Sequence, residues 1–258
     1  MPTPLYPVLL LARSALLEAR RSGLPWLAFG LLAAALGLAA FLSQVALLEG
    51  RELQAAVAAA ALRAGGAFLL ATHVAASVGR ESSDKVLELA LALPISRTSY
   101  YLGKVAGYSA VGIALAFVFT IPQLLWASPG AAALWGASLA LELLLAAAAT
   151  LFFAMTLSSV VAAIAATAGL FVLGRSMAAI QLLARGPLVE DSWMQSLSRG
   201  AVDGIAFLLP RLDAATRSDW LLYGTPPAGE AAMELASLAL YSAMLVAAGL
   251  FDFHRRNL

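Results

Sequence analysis

Two groups of charged residues are the features of this sequence that can do chemistry, because most of the remaining chain is apolar. The first group lies between Arg80 and Lys104, a polar stretch that holds both lysines of the chain. The second group consists of three single charges inside long apolar segments, namely Arg63, Glu142 and Arg175. Charged side chains in these settings can bind a partner or pair with one another across a helix bundle.

The sequence offers no set of residues for catalysis or for holding a metal. There is no cysteine, which excludes disulfides, thiolate nucleophiles and Cys-based metal sites. The two histidines, His73 and His254, have no partner at ligand spacing, and the methionines are scattered. Gly103 and Lys104 lack the glycine five positions earlier that a phosphate-binding loop requires. We therefore predict no enzyme activity, catalytic residue, metal or cofactor for this chain.

Composition indicates a membrane protein. Of the 258 residues, 62% are hydrophobic and 12% are charged, and the mean hydropathy is +0.87, whereas a soluble domain carries about 25% charged residues. The net charge of +1 gives no reason to expect nucleic acid as a partner. We predict an all-α membrane protein forming one transmembrane domain over residues 1–258. About 20 residues are needed to cross a bilayer, and six segments qualify: 24–48, 55–79, 101–126, 131–157, 160–183 and 231–251.

The segments outside the spans set the orientation. Residues 4–22 predict an interfacial helix with snorkelling arginines, the alternative being a plain N-terminal tail. Nine of the sixteen basic residues fall on one side if both termini are cytoplasmic, which favours that arrangement. The long outer loop, residues 184–230, contains a short apolar stretch at 200–210 that suits an interfacial or re-entrant helix. A capping loop and a substrate gate are equally compatible with it.

The three charges inside the spans are expected at similar depth. Counted from the outer ends at ~1.5 Å per residue, Arg63 lies ~12 Å deep, Glu142 ~17 Å and Arg175 ~14 Å. One charge at such a depth costs at least ~2.5–3.5 kcal/mol on insertion scales, so pairing of Glu142 with either arginine is expected. The three residues form either a polar belt lining a translocation cavity or a structural ion pair that holds the bundle together.

The charged stretch predicts a short helix lying on the inner side. Ser82 or Ser83 is suited to cap a helix that starts at Asp84, and Pro94 would end it. Its apolar side would include Leu87 and its polar side Lys85 and Glu88. Such a helix can present a protruding surface to a soluble partner.

The pattern of this stretch resembles the first cytoplasmic loop of type-2 ABC transporter permeases. In that family a glutamate-led "GTLE" helix precedes a "P-[IV]-S-R" turn and a "GK" before the third span. The sequence matches at Glu81, Leu87, Glu88, Pro94, Ser96, Arg97, Gly103 and Lys104, and departs at Lys85 and Val86, where the family usually has Gly-Thr. Within the family, the chain is similar in a general way to the permease branch for maturation of the nitrous oxide reductase copper site.

The resemblance implies a permease subunit of the bacterial inner membrane, with ATP and Mg handled by a separate chain. Two ABC ATPase subunits and a second permease copy, or a homologue of it, would be its partners in the lipid bilayer. The implied ATPase-coupling residues are Glu81, Asp84, Lys85, Leu87, Glu88, Pro94, Arg97 and Lys104. Two functions remain open at this point: export of an unidentified substrate, or a membrane anchor that passes ATPase-driven motion to a periplasmic partner.

Overall fold

A computed structural model describes residues 5–45, 50–84, 96–157, 159–184 and 193–255, and in these ranges the regular structure is entirely helical. The helices, in chain order, are α1 (Leu5–Arg21), α2 (Leu24–Val45), α3 (Gly50–Ser83), α4 (Arg97–Thr120) with a 3-10 extension (Ile121–Leu125), α5 (Pro129–Leu157), α6 (Val160–Ala184), α7 (Trp193–Leu208), α8 (Leu212–Ala215), a 3-10 turn (Asp219–Leu221) and α9 (Ala228–Arg255).

Six of these helices, α2 to α6 and α9, are long and apolar enough to cross a membrane, which confirms the six predicted segments. Their ends differ from the prediction. α3 begins at Gly50, so the polar residues just before the predicted start at residue 55 already belong to the helix. α3 also extends to Ser83, whose hydroxyl donates to the carbonyl of Gly79. Hydropathy locates the apolar middle of a span, but the polar turns at its ends continue the helix.

α5 lies at the centre of the bundle and packs against α3, α4, α6 and α9. Buried residues occur all around it, Trp135, Leu139, Leu143 and Leu151 among them. A helix that is apolar on every face is expected in such a central position. Gly112 of α4 lets the helices approach closely, because a Cβ there would lie 3.1 Å from Leu143.

The predicted N-terminal helix is present as α1, which packs along the first turns of α4. The contact requires glycines on α4: a Cβ at Gly103 would lie 2.7 Å from Leu11, and one at Gly107 2.6 Å from Ala15. Gly23 closes α1 with a φ of 79°, a conformation that glycine adopts without steric cost. The chain then turns directly into α2.

The outer segment after α7 folds back onto the spanning helices. Leu212 is fully buried in a cluster with Leu145 of α5 and Leu238 of α9. A Cβ at Gly174 of α6 would lie 2.9 Å from the carbonyl oxygen of Pro210. Since Gly174 is ten residues before the end of α6, the segment reaches ~15 Å along that helix. Trp220, in the 3-10 turn of this segment, is also buried.

Candidate functional site

The inner ends of α3 and α4 are joined by a buried ion pair. Lys104 of α4, whose side chain is 5% exposed, bonds to Glu81 in the last turn of α3. The hydroxyl of Tyr100 donates to the other carboxylate oxygen of Glu81 at 2.7 Å. Two of the residues expected to couple to an ATPase thus bind each other, and Lys104 lies inside the bundle. The pair links the two helix ends between which the connection from α3 to α4 runs.

A second cluster attaches α1 to the same region. The hydroxyl of Ser77 donates to both carboxylate oxygens of Glu18 at 2.7 and 2.8 Å, and Arg80 bonds to Glu18 at 2.8 Å. Tyr108 of α4 donates to Ser77 at 2.9 Å. Burial of Glu18 acts to raise the pKa of its carboxyl, but the hydrogen bonds from Ser77 and Arg80 prevail and lower that pKa. Glu18 is therefore held ionised between α1 and α3.

The start of α4 is fixed by its cap and by the end of α9. The Ser96 hydroxyl accepts a hydrogen bond from the backbone N–H of Ser99 at 3.1 Å, so the Ser-Arg pair of the sequence motif forms a helix N-terminus. Arg97 donates to the carbonyl of His254 at 3.4 Å. The inner ends of α4 and α9 consequently lie together.

The predicted coupling helix falls largely outside the described residues. Lys85, Leu87, Glu88 and Pro94 all lie in the undescribed range 85–95. Asp84 is exposed, and its N–H donates to the carbonyl of Arg80 at 2.9 Å. The predicted N-cap is corrected: Ser82 and Ser83, together with Glu81, belong to the last turn of α3.

The three charges inside the apolar helices meet within the bundle. Glu142 of α5 is fully buried, and one of its oxygens accepts a hydrogen bond from Arg63 of α3 at 2.7 Å. Its other oxygen accepts from Arg175 of α6. Arg63 also donates to Ser138 at 2.9 Å, and its guanidinium lies 5.0 Å from the ring centroid of Trp135. We call Arg63, Glu142 and Arg175 the charged triad.

The charged triad carries an excess of one positive charge, because two guanidinium groups share one carboxylate. Arg63 is 1% exposed, and its Nε has no hydrogen-bond partner among the described residues. The side chain of Arg175 is 39% exposed. The excess charge is thus accessible at Arg175, whereas Arg63 and Glu142 are enclosed.

Arg175 borders a groove of about 200 Å³ between α3 and α6. Alanines and larger apolar side chains form its walls, with Phe68 on α3 and Val172 on α6. Its polar members are Glu142, Thr167 and Arg175. The arrangement can hold an apolar group along the walls and an anion at the arginine end.

Several of these contacts could not be predicted from the sequence pattern. Glu18 and Ser77 are isolated polar residues in amphipathic or apolar stretches, and only the packing of α1 on α4 brings them together. Ser138 and Trp135 were likewise not selected, although both lie within one or two helical turns of Glu142 on the same face. Among the described residues, no three His, Asp or Glu side chains are grouped to hold a metal ion.

Compared with known proteins, the chain matches no protein-family model and no curated protein.

Proposed function

We propose that the chain is the membrane subunit of an ATP-binding cassette exporter of the bacterial inner membrane. Two copies, or one copy and a homologue, would associate with two ATPase subunits that hydrolyse ATP. Both termini would be cytoplasmic, and the loop between α3 and α4 would contact the ATPase. The substrate would cross between the bundles.

The observation that carries the proposal is the ion pair between Glu81 and Lys104. It locks the two helix ends that flank the motif-bearing loop, and the Lys104 side chain is 5% exposed. A loop anchored in this way passes an applied force to α3 and α4 together, because their ends cannot separate without exposing a buried charge.

In the working cycle, closure of the ATPase dimer would push the loop, and α3 and α4 would move as one unit. α1 would follow, since Glu18 is bonded to Ser77 and Arg80 on α3. The movement would reach the charged triad through Arg63, which lies on the same helix as Glu81.

The test uses the complex isolated from native membranes through a tag on this chain and reconstituted in nanodiscs. We expect an ABC ATPase to copurify in equal numbers and to hydrolyse ATP in a vanadate-sensitive manner. Glu81→Gln, Glu88→Gln and Arg97→Gln should each reduce that hydrolysis relative to the same ATPase with wild-type chain. Arg51→Gln, at the opposite end of α3, is the matched control. Absence of an ATPase, or unchanged hydrolysis in all three variants, would contradict the proposal.

A second candidate function is a membrane anchor that transmits ATPase-driven motion to a periplasmic partner. The segment after α7 favours it, because Pro210 and Leu212 pack against α5, α6 and α9. Motion of α6 would therefore displace the outer surface that α7 forms. Export predicts accumulation of a substrate across the membrane. The anchor predicts ATP hydrolysis that depends on a periplasmic protein, without transport.

A further inference from the structure

The charged triad lacks an anion. Arg63 and Arg175 share the single carboxylate of Glu142, whose two oxygens are both occupied by them. An unbalanced charge at this depth is costly in lipid, and a counter-anion would offset the cost. The accessible position for that anion is beside Arg175, since its side chain is 39% exposed whereas those of Arg63 and Glu142 are buried.

The described spanning helices of a second copy offer no acidic residue for this position. Glu142 is the sole acidic residue in the middle of any described spanning segment. The other acids of these segments lie near the helix ends, as Glu52 and Asp252 do. Two copies brought together at α6 would therefore add a second excess positive charge. The anion must come from a ligand.

The groove beside Arg175 sets the shape of that ligand. Apolar side chains of α3 and α6 line the groove as far as Ile164, eleven residues from Arg175, which is ~16 Å along the helix. The groove, at about 200 Å³, is smaller than typical pockets for small molecules, which occupy about 300–1,000 Å³. It suits one apolar chain with an anionic group at its end.

The depth of Arg175 argues against a lipid resident in either leaflet. Arg175 is nine residues from the outer end of α6, or ~14 Å along the helix. A phospholipid in its usual position holds its phosphate at the bilayer surface, farther out than this arginine. A molecule whose anionic group reaches Arg175 therefore holds that group deeper than a phospholipid in its usual position does.

We infer that the α3–α6 groove binds an anionic amphiphile in transit, with its carboxylate or phosphate on Arg175 and its apolar chain along α3 and α6. The inference rests on the proposed transport function and names the class of substrate. Binding itself requires neither ATP nor the ATPase. A failure of binding is thus distinguishable from a failure of ATPase coupling.

The experiment places one reporter in the groove. The chain contains no cysteine, so Val172→Cys, at an exposed groove position, can carry an environment-sensitive fluorophore in phosphatidylcholine nanodiscs. Dodecyl phosphate should give a saturable signal. Dodecanol and dodecyltrimethylammonium should bind at least about tenfold more weakly, because they lack the charge-assisted hydrogen bond to arginine.

Variants of Arg175 decide the outcome. In Arg175→Gln the affinity for dodecyl phosphate should fall about tenfold or more, whereas Arg175→Lys should keep saturable binding and Arg51→Gln should match wild type. Thermal melting of each variant checks that it is folded. Equal affinity for dodecanol, or unchanged affinity in Arg175→Gln, overturns the inference. A signal already saturated by phosphatidylglycerol nanodiscs, which dodecyl phosphate cannot displace, also overturns it and assigns the groove to a resident lipid.

Discussion

Replacing Glu142 by glutamine is the sharpest test of how the charged triad contributes to stability. Glu142 is fully buried and accepts hydrogen bonds through both carboxylate oxygens. Glutamine keeps one acceptor oxygen and turns an N–H₂ donor towards the other guanidinium, where two donors face each other. The substitution raises the net charge of the triad from one to two. Arg63 remains buried and cannot move to water.

The expected cost is large because a buried ion pair loses one partner. Such a loss destabilises a protein by about 3–5 kcal/mol. If the scaling for soluble domains of similar size applies, at about 2–4 °C per kcal/mol, the melting temperature falls by about 6–20 °C. Arg175→Gln should behave differently, since it removes the excess charge from a side chain that is 39% exposed. Its cost should be smaller than that of Glu142→Gln, because the Arg63–Glu142 pair keeps both partners and the net charge of the triad falls to zero.

The assay is thermal unfolding in nanodiscs followed by intrinsic tryptophan fluorescence. A double variant, Arg63→Gln with Glu142→Gln, provides the control. It removes the stranded buried charge, so it should be more stable than Glu142→Gln alone, with a coupling energy of about 0.5–3 kcal/mol. A melting temperature for Glu142→Gln within 2 °C of wild type, or a larger loss for Arg175→Gln, would refute this account.

Three further predictions concern the inner end and the packing. Gly107→Ala should lower stability by about 1–3 kcal/mol through overpacking against α1, whereas Gly37→Ala, with open space around it, should not; melting temperatures compare the two. Because the pKa of Glu18 is lowered in the folded chain, its stabilising effect is complete above the ordinary glutamate pKa of 4.5 and is lost as pH falls through the folded pKa. The stability of the wild type should therefore converge on that of Glu18→Gln when unfolding is measured at acidic pH. Single cysteines at Ser83 and Glu52 should react with impermeant reagents from opposite sides of the membrane, and labelling from one side would contradict the six-span topology.

The spans were predictable from sequence for a physical reason. An apolar run long enough to cross a bilayer has few alternatives, so each predicted segment coincides with a long helix. The meeting of Glu142 with arginines followed from the cost of an isolated charge in lipid. The sequence did not show that one carboxylate would serve two arginines, because helix rotation about the long axis decides which faces meet.

The contacts of Glu18 and of Leu212 could not be predicted from the sequence for another reason. Glu18 meets Ser77 because Gly103 and Gly107 let α1 approach α4 closely, a contact between residues far apart in the chain. The insertion of Leu212 next to Leu145 likewise depends on a space left by Gly174. Hydrophobic periodicity describes one helix at a time and carries no information on such gaps.

α3 is the element that connects the two charged regions. Arg63 and Glu81 are eighteen residues apart on this unbroken helix, a distance of ~27 Å. The helix has no proline, which is the commonest cause of a kink. It has two adjacent glycines, Gly65 and Gly66, but Leu31 and Phe119 of the neighbouring helices pack against them. A displacement of Glu81 by the loop must therefore move Arg63 with it. Since Arg63 binds Glu142, and Glu142 binds Arg175, we expect a shift at this end of α3 to reach the groove at α6.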